Sequence, residues 1–271
     1  MTGDSPSWAA TPDDARGMQR LLRMISGDPA REAAAALLDA GERIVICTGF
    51  PVAGAPETDG PPGAIELARA LERIGQSVAI ASWRRVLDLM APWALGVELI
   101  EVECGPDGGT RPIEGAIVAI EACGRAADGC WRNMKGEDIS AQVPRFEDHV
   151  GERLLVAVGD GGNELGMGSA PEAFFEGLPF PRPVSTAQVL VPSTVSNWGA
   201  LAIVAELSAA SRRRLLPDPE QHGQLLRDMV AVGAVDGFSG HRIEAVDGRP
   251  VAESVAVVKA LQEWLARALP G

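Results

Sequence analysis

LLVAVGDGGNELGMG, running from Leu154 to Gly168, is a continuous apolar, β-branched run that breaks into glycine, aspartate and asparagine. The apolar half predicts a strand buried on both faces, and Gly159, Gly161 and Gly162 let the chain turn sharply at its carboxyl end. In an open α/β sheet that is the end where ligands bind. The stretch therefore predicts a strand-to-helix turn displaying Asp160, Asn163 and Glu164, followed by a helix over Glu164 to Phe175. The same residue types also serve as plain turn and cap residues, so their presence alone assigns no chemistry.

The familiar phosphate loops are excluded. Gly161 and Gly166 have P-loop separation, but Met167 and Gly168 follow where Lys and Ser or Thr are required. In the dinucleotide fingerprint the third glycine falls at Glu164, which would aim a negative charge at a pyrophosphate, so no nicotinamide cofactor is expected. What remains is a turn whose backbone N–H groups would hold a small anion while its carboxylates face something cationic or proton-donating.

Outward from this stretch, β-rich runs at Arg43–Phe50, Ser77–Ser82, Val97–Val102, Gly115–Glu121 and Ala187–Pro192 join Leu154–Gly159. Helical patterns at Ala64–Ile74, Trp83–Leu95 and Asn197–Arg213 lie between or after them. Strand alternating with helix predicts a three-layer, Rossmann-like α/β fold, a mostly parallel sheet with helices on both faces. Residues 12–25 and 29–40 predict two further helices, the second capped by Asp28 before Pro29 and stopped by Gly41, giving an N-terminal helical extension at about 1–41. Helices are also predicted at Pro219–Val232 and Val251–Ala268, with a β-turn at Asp247-Gly248 between them. With no repeat and no low-complexity linker, residues 1–271 read as one domain.

The 37 acidic residues exceed the 24 basic ones, a net charge of −13, which argues against nucleic acid or an anionic membrane as partner. No apolar run approaches the ~20 residues that span a bilayer, and Asp4, Asp13, Asp14 and Asp28 replace the hydrophobic core of a signal peptide, so a cytoplasmic protein is expected. Cys47, Cys104, Cys123 and Cys130 have no Cys-x-x-Cys spacing and are predicted to be reduced thiols. The three histidines form no zinc motif, Gly237 to His241 has no preceding strand to make a nucleophile elbow, and the absence of tyrosine removes Tyr-based acid or base chemistry.

Three more polar clusters follow strand ends. The loop Thr48 to Ala64 presents Glu57 and Asp59; Ile120 to Ser140 carries Arg125, Arg132 and Asn133; Ser193 to Ala200 puts Ser196 or Asn197 at a helix start. In a parallel sheet those ends share an edge, so the clusters are expected to converge with Asp160 in one crevice. Each also has a plainer reading, Glu57 and Asp59 as helix caps and the arginines as surface charges.

Taken in order, GFPV, ETDGPPGA, IE-x-x-GRAADG-x-x-RNMKG-x-DIS, GDGGNELGMG, VSNWG and GAVDG resemble the C-terminal domain family of D-glutamate cyclase and its stand-alone bacterial members, from about Arg43 to Gly240. The vertebrate member joins this domain to a hydro-lyase-like one. The resemblance implies a carbon–oxygen lyase of D-amino acid metabolism that reversibly dehydrates D-glutamate to 5-oxo-D-proline, with a small amino acid or cyclic amide as its partner and a homo-oligomer left open. Asp160 is then the expected base. Glu57 and Asp59 are either the acid that protonates the departing oxygen or, with Asp160, ligands to Mg²⁺ or Mn²⁺. Arg125 and Arg132 would clamp carboxylates, and Asn133, Gly161, Gly162, Asn163, Glu164, Ser196 and Asn197 would shape the pocket. The alternatives are a nucleotide or small-anion binding module without catalysis, and an enzyme acting on a related amino or hydroxy acid.

Overall fold

The computed structural model describes residues 4–41, 43–105 and 113–269. Six parallel strands, β1 (Ile44–Thr48), β2 (Val78–Ser82), β3 (Glu98–Glu101), β4 (Ala116–Ile120), β5 (Leu155–Gly159) and β6 (Val189–Pro192), form the central sheet. Their spatial order is β3-β2-β1-β4-β5-β6, with Ile44 opposite Val78 on one side and Ala116 on the other. β1 to β3 step outward in one direction and β4 to β6 in the other, so the chain reverses between β1 and β4. That junction is a topological switch point, where open α/β sheets bind ligands.

The β-branched runs form strands because the sheet is covered on both faces: all residues of β1, β2, β4 and β5 are buried. Ile44, Ile46, Val118, Val156 and Val158 pack against helices α2 (Pro29–Asp39), α3 (Pro61–Arg73), α4 (Arg84–Met90) and α5 (Ser196–Ser211). Outside these lie α6 (Pro219–Val232) and α7 (Val251–Ala268), which pack on each other and, through α7, on α5. On the opposite face Val45, Cys47, Ile117 and Leu155 meet Ile113, Phe146 and Leu165. Beyond them Met18 and Leu21 of α1 (Met18–Met24) and Phe174 cover Ala157 and Leu190.

The second face is thinly helical because two predicted helices do not form as expected. From Glu164 to Phe175 the chain makes turns and a single 3-10 turn, Glu172–Phe174. Gly166 has φ 88°, and Pro171 cannot donate inside a helix. The Leu165 N–H is already spent on the Ala122 carbonyl at 2.7 Å, and the Asn163 carbonyl accepts from Gly124 at 2.8 Å. The helix expected over 12–25 is confined to α1, because Arg16 (φ 50°) and Gly17 (φ 78°) break it. By contrast α2 begins as predicted, with Asp28 accepting the Arg31 N–H, and α6 and α7 keep the predicted bounds. The four cysteines are free thiols, Cys47 and Cys123 buried, and no described helix is long and apolar enough to cross a membrane.

Candidate active site

At the switch point the loops after β1 and β6 fasten each other through reciprocal helix caps. Asp59 Oδ2 accepts the Ser196 N–H at 2.8 Å and Oδ1 the Asn197 N–H at 2.7 Å, satisfying the start of α5. Asn197 Oδ1 in turn accepts from Gly60 and Gly63 at the start of α3, and its Nδ2 donates to the Thr58 carbonyl at 2.9 Å. Asp59 therefore does cap a helix, though α5 rather than the one that follows it. Gly60 (φ 90°) is required here, since a Cβ would lie 2.6 Å from Thr48 Oγ1 and 2.9 Å from Glu121 Cβ.

The glycine-rich turn after β5 holds an anion, and the anion is its own. Glu164 Oε1 accepts from the Asp160 and Gly161 N–H groups at 3.0 and 2.6 Å, and Oε2 from Gly162 at 2.7 Å. The nest expected for a small external anion is thus filled by a side chain four residues on from Asp160. Tight packing accompanies it: Gly162 has φ 102°, and a Cβ on Gly161 would meet Met134 Sδ at 2.5 Å. The strand-end glycines are there because the side chains of Glu164, Met134 and Phe174 crowd them.

Around this frame lie buried carboxylates from separate loops. Asp59, Asp160 and Asp247 each bring one oxygen within 4.8 Å of the others, as do Glu121, Asp160 and Glu164. Glu121 ends β4 in the left-handed region (φ 46°) and accepts a bond from Ser196 Oγ at 2.7 Å. Glu57 is buried against the same group, and its Oε1 finds no hydrogen-bond donor among the described residues. Arg16 reaches in from the N-terminal segment, pairing with Asp160 and, at 2.7 Å, with Asp247.

Burial against so much negative charge favours protons. Desolvation, then Glu121, Asp247 and Asp59, raises the Glu57 pKa well above the carboxylate range, with Arg16 opposing. Asp59 is pushed up to about 7 by burial and Asp247, against the N–H bonds from Asn197 and Ser196. Burial also raises Asp160, Arg16 being the main opposing influence, and raises Glu121 together with Glu164 and Asp59. Burial works against the Arg16 charge too, but Asp160 and Asp247 outweigh it and hold the guanidinium protonated. Burial and mutual repulsion thus favour the protonated form across Glu57, Asp59, Asp160 and Glu121, with Asp59 near neutrality.

The structure thus brings together Glu57, Asp59, Asp160, Glu164, Ser196 and Asn197. It does not bring the two expected arginines to them. Arg132 pairs with Asp128 at 2.6 Å on an exposed loop, and Asn133 Nδ2 donates to Glu137 there. The Arg125 guanidinium lies over the Trp131 ring at 5.7 Å, and the backbone N–H of Arg125 donates to Glu147. Asn163 faces the same loop, donating to the Arg132 carbonyl at 2.8 Å.

Sequence reasoning missed Arg16, Glu121 and Asp247 as site residues. Glu121 was detectable as an acid closing a uniformly apolar strand at the sheet's carboxyl edge. Asp247 with Gly248 has the form of a two-residue hairpin turn (φ 53° and 75°), which hides its second role; Asp236 fixes that tip by accepting the Gly248 N–H at 2.6 Å. Arg16 carries no local signal beyond the glycine that follows it.

The donors suit a hard divalent cation. They are all carboxylate oxygens, they exceed the single guanidinium in charge, and Glu57 Oε1 is orphaned beside them. Asp247 stands with Asp59 and Asp160 in the place expected of Glu57.

A parallel α/β sheet with a buried acid cluster at its switch point defines a class of small-molecule site. The family is given by sequence: the chain belongs to the D-glutamate cyclase-like, C-terminal family, whose model matches residues 9–262 and so takes in Arg16 and Asp247. It is similar to the Homo sapiens protein named D-glutamate cyclase, mitochondrial, at 31% identity over 234 residues, covering 72% of this chain and 36% of the human one. The chain thus spans about a third of that relative's length.

Proposed function

We propose that this chain catalyses the reversible dehydration of D-glutamate to 5-oxo-D-proline. The observation that carries this reading is the cluster of carboxyl groups at the switch point, which burial shifts toward the protonated form, in a member of this family. In the forward direction the α-nitrogen forms a bond to the carbon of the γ-carboxyl group, one oxygen of that group leaves as water, and the two protons of that water come from the α-ammonium group. Asp160 is the base that accepts the amine proton. Asp59, whose carboxyl stands near neutrality, returns a proton to the departing oxygen. Asp247 adds to burial in keeping both carboxyls protonatable, Glu121 acts on Asp160, and Ser196 orients Glu121.

The alternative to these acid–base roles is ligation: Asp59, Asp160 and Asp247 would then hold Mg²⁺ or Mn²⁺, which when bound would supply polarisation of the γ-carboxyl. The rival reading, an anion-binding module using the glycine turn, is disfavoured because Glu164 already takes its three N–H donors. The test is incubation of the protein with D- and L-glutamate, with Mg²⁺, Mn²⁺ or chelator, followed by chiral chromatography of the 5-oxoproline formed. Product from the D-enantiomer above the enzyme-free rate supports the reading, and none under any metal condition refutes it.

A further inference from the structure

The Arg16 guanidinium is gripped from one side only. Nε donates to the Asp160 carbonyl at 2.9 Å, and Nη2 donates to Asp160 Oδ2, to Asp247 Oδ2 at 2.7 Å and to the Thr194 carbonyl at 3.0 Å. Nη1 takes part in none of these bonds, and its two N–H groups have no acceptor among the described residues. The side chain keeps 24% of its surface open. A guanidinium offers five coplanar donors and stays charged at every accessible pH, so the free edge is a fixed, permanently cationic pair of donors.

Its backbone is fixed as well. Arg16 sits at φ 50°, a conformation that non-glycine residues seldom adopt, and the segment before it is tied across the end of β6. The Thr194 N–H donates to the Ala10 carbonyl at 3.0 Å, Thr11 Oγ1 lies 3.3 Å from the Pro192 carbonyl, and Arg249 holds Asp13 at 2.7 Å. A charged donor so constrained is preorganised for a carboxylate oxygen.

We propose that Arg16 Nη1 is the carboxylate anchor of the site, and that the carboxylate it takes is the α-carboxylate of an amino acid or of its cyclic amide. This rests on the reaction proposed above. In that reaction the amine to be deprotonated and the α-carboxylate share one carbon, so base and anchor must be neighbours, and Asp160 and Arg16 are in direct contact. The α-carboxylate is the one group that both substrate and product retain unchanged, which suits a rigid anchor. Arg125 and Arg132 are committed elsewhere. The N-terminal segment thereby becomes part of the binding site.

The test is a ligand-by-residue cycle. Binding of 5-oxo-D-proline and of 5-oxo-D-prolinamide, which lacks the charged carboxylate, is measured by calorimetry on the wild type, Arg16→Gln and Arg16→Lys. The wild type should prefer the acid over the amide by about 100-fold, and Arg16→Gln should shrink that preference to about threefold or less, because only the acid loses a partner. Arg16→Lys still balances Asp160 and Asp247 but has no fork, so it should fall between them and carries the test if the glutamine variant does not fold. A purely structural Arg16 would weaken acid and amide equally, and that result overturns the proposal, as does a wild type that binds both ligands alike. A wild type that binds neither refutes the reaction and the anchor together.

Discussion

Glu164→Ala removes the acceptor of three buried N–H groups at once. Glu164 is 1% exposed, and it receives Asp160, Gly161 and Gly162 at 2.6 to 3.0 Å. Hydrogen bonds to a charged partner contribute about 1.5–3 kcal/mol each, and an orphaned buried donor costs a comparable amount. Three such bonds, partly replaced by water entering the space left behind, lead to an expected loss of about 3–5 kcal/mol, a large share of a domain's typical 5–15 kcal/mol. Urea unfolding followed by tryptophan fluorescence reads this as a lower midpoint at unchanged slope. Because the empty nest would then be an anion site, formate at 100 times its Kd should return about 2.7 kcal/mol to the variant and nothing to the wild type. A loss under about 1 kcal/mol, or equal stabilisation of both proteins by formate, would refute the view that Glu164 fills the turn.

Three further outcomes are expected. Asp160→Asn should lower D-glutamate turnover by about 10²- to 10⁴-fold while the far-ultraviolet spectrum is unchanged; a folded variant with near wild-type turnover would remove Asp160 from the chemistry. Asn197→Ala leaves the Gly63 N–H and the Thr58 carbonyl unpartnered in the interior and leaves the Gly60 N–H to Asp59 alone, so thermal unfolding should report a loss of about 2–4 kcal/mol, and a loss of a few tenths would show that the reciprocal caps matter little. Glu206, raised to about 7 by burial against the opposing Arg31, keeps a proton in the folded state that the unfolded chain has released. Stability should therefore fall by on the order of 2 kcal/mol as pH rises from about 4.5 through 7, and Glu206→Gln should flatten that slope; an unchanged slope would place the titration elsewhere.

The sheet was legible because a parallel strand buried on both faces leaves a plain trace, an unbroken apolar run such as Ile44 to Thr48 or Leu155 to Val158. Helices with capping chemistry were legible for a similar reason, as Asp28 announces α2. The segment after β5 was misread as a helix, whereas Gly166 at φ 88° and Pro171 interrupt it and the Asn163 carbonyl is already taken by the Gly124 N–H. Glu121 was overlooked on the sheet's carboxyl edge, while Glu57, Asp59, Asp160 and Glu164 followed from strand-end position on that same edge. Arg16 and Asp247 did not, because they meet across 231 residues of sequence. No local pattern marks an arginine that faces carboxylates instead of solvent.

The most direct test of the central claim is oxygen exchange. D-glutamate incubated with the protein in heavy-oxygen water should acquire first one and then two heavy oxygens in its γ-carboxyl group. Each cyclisation expels one γ-oxygen and each reopening takes one from solvent, whatever the position of the equilibrium. Mass spectrometry should show this labelling for D-glutamate, not for L-glutamate, and at a rate that collapses in Asp160→Asn. D-glutamate that stays unlabelled with the wild-type protein, with Mg²⁺ or Mn²⁺ present, would contradict the account.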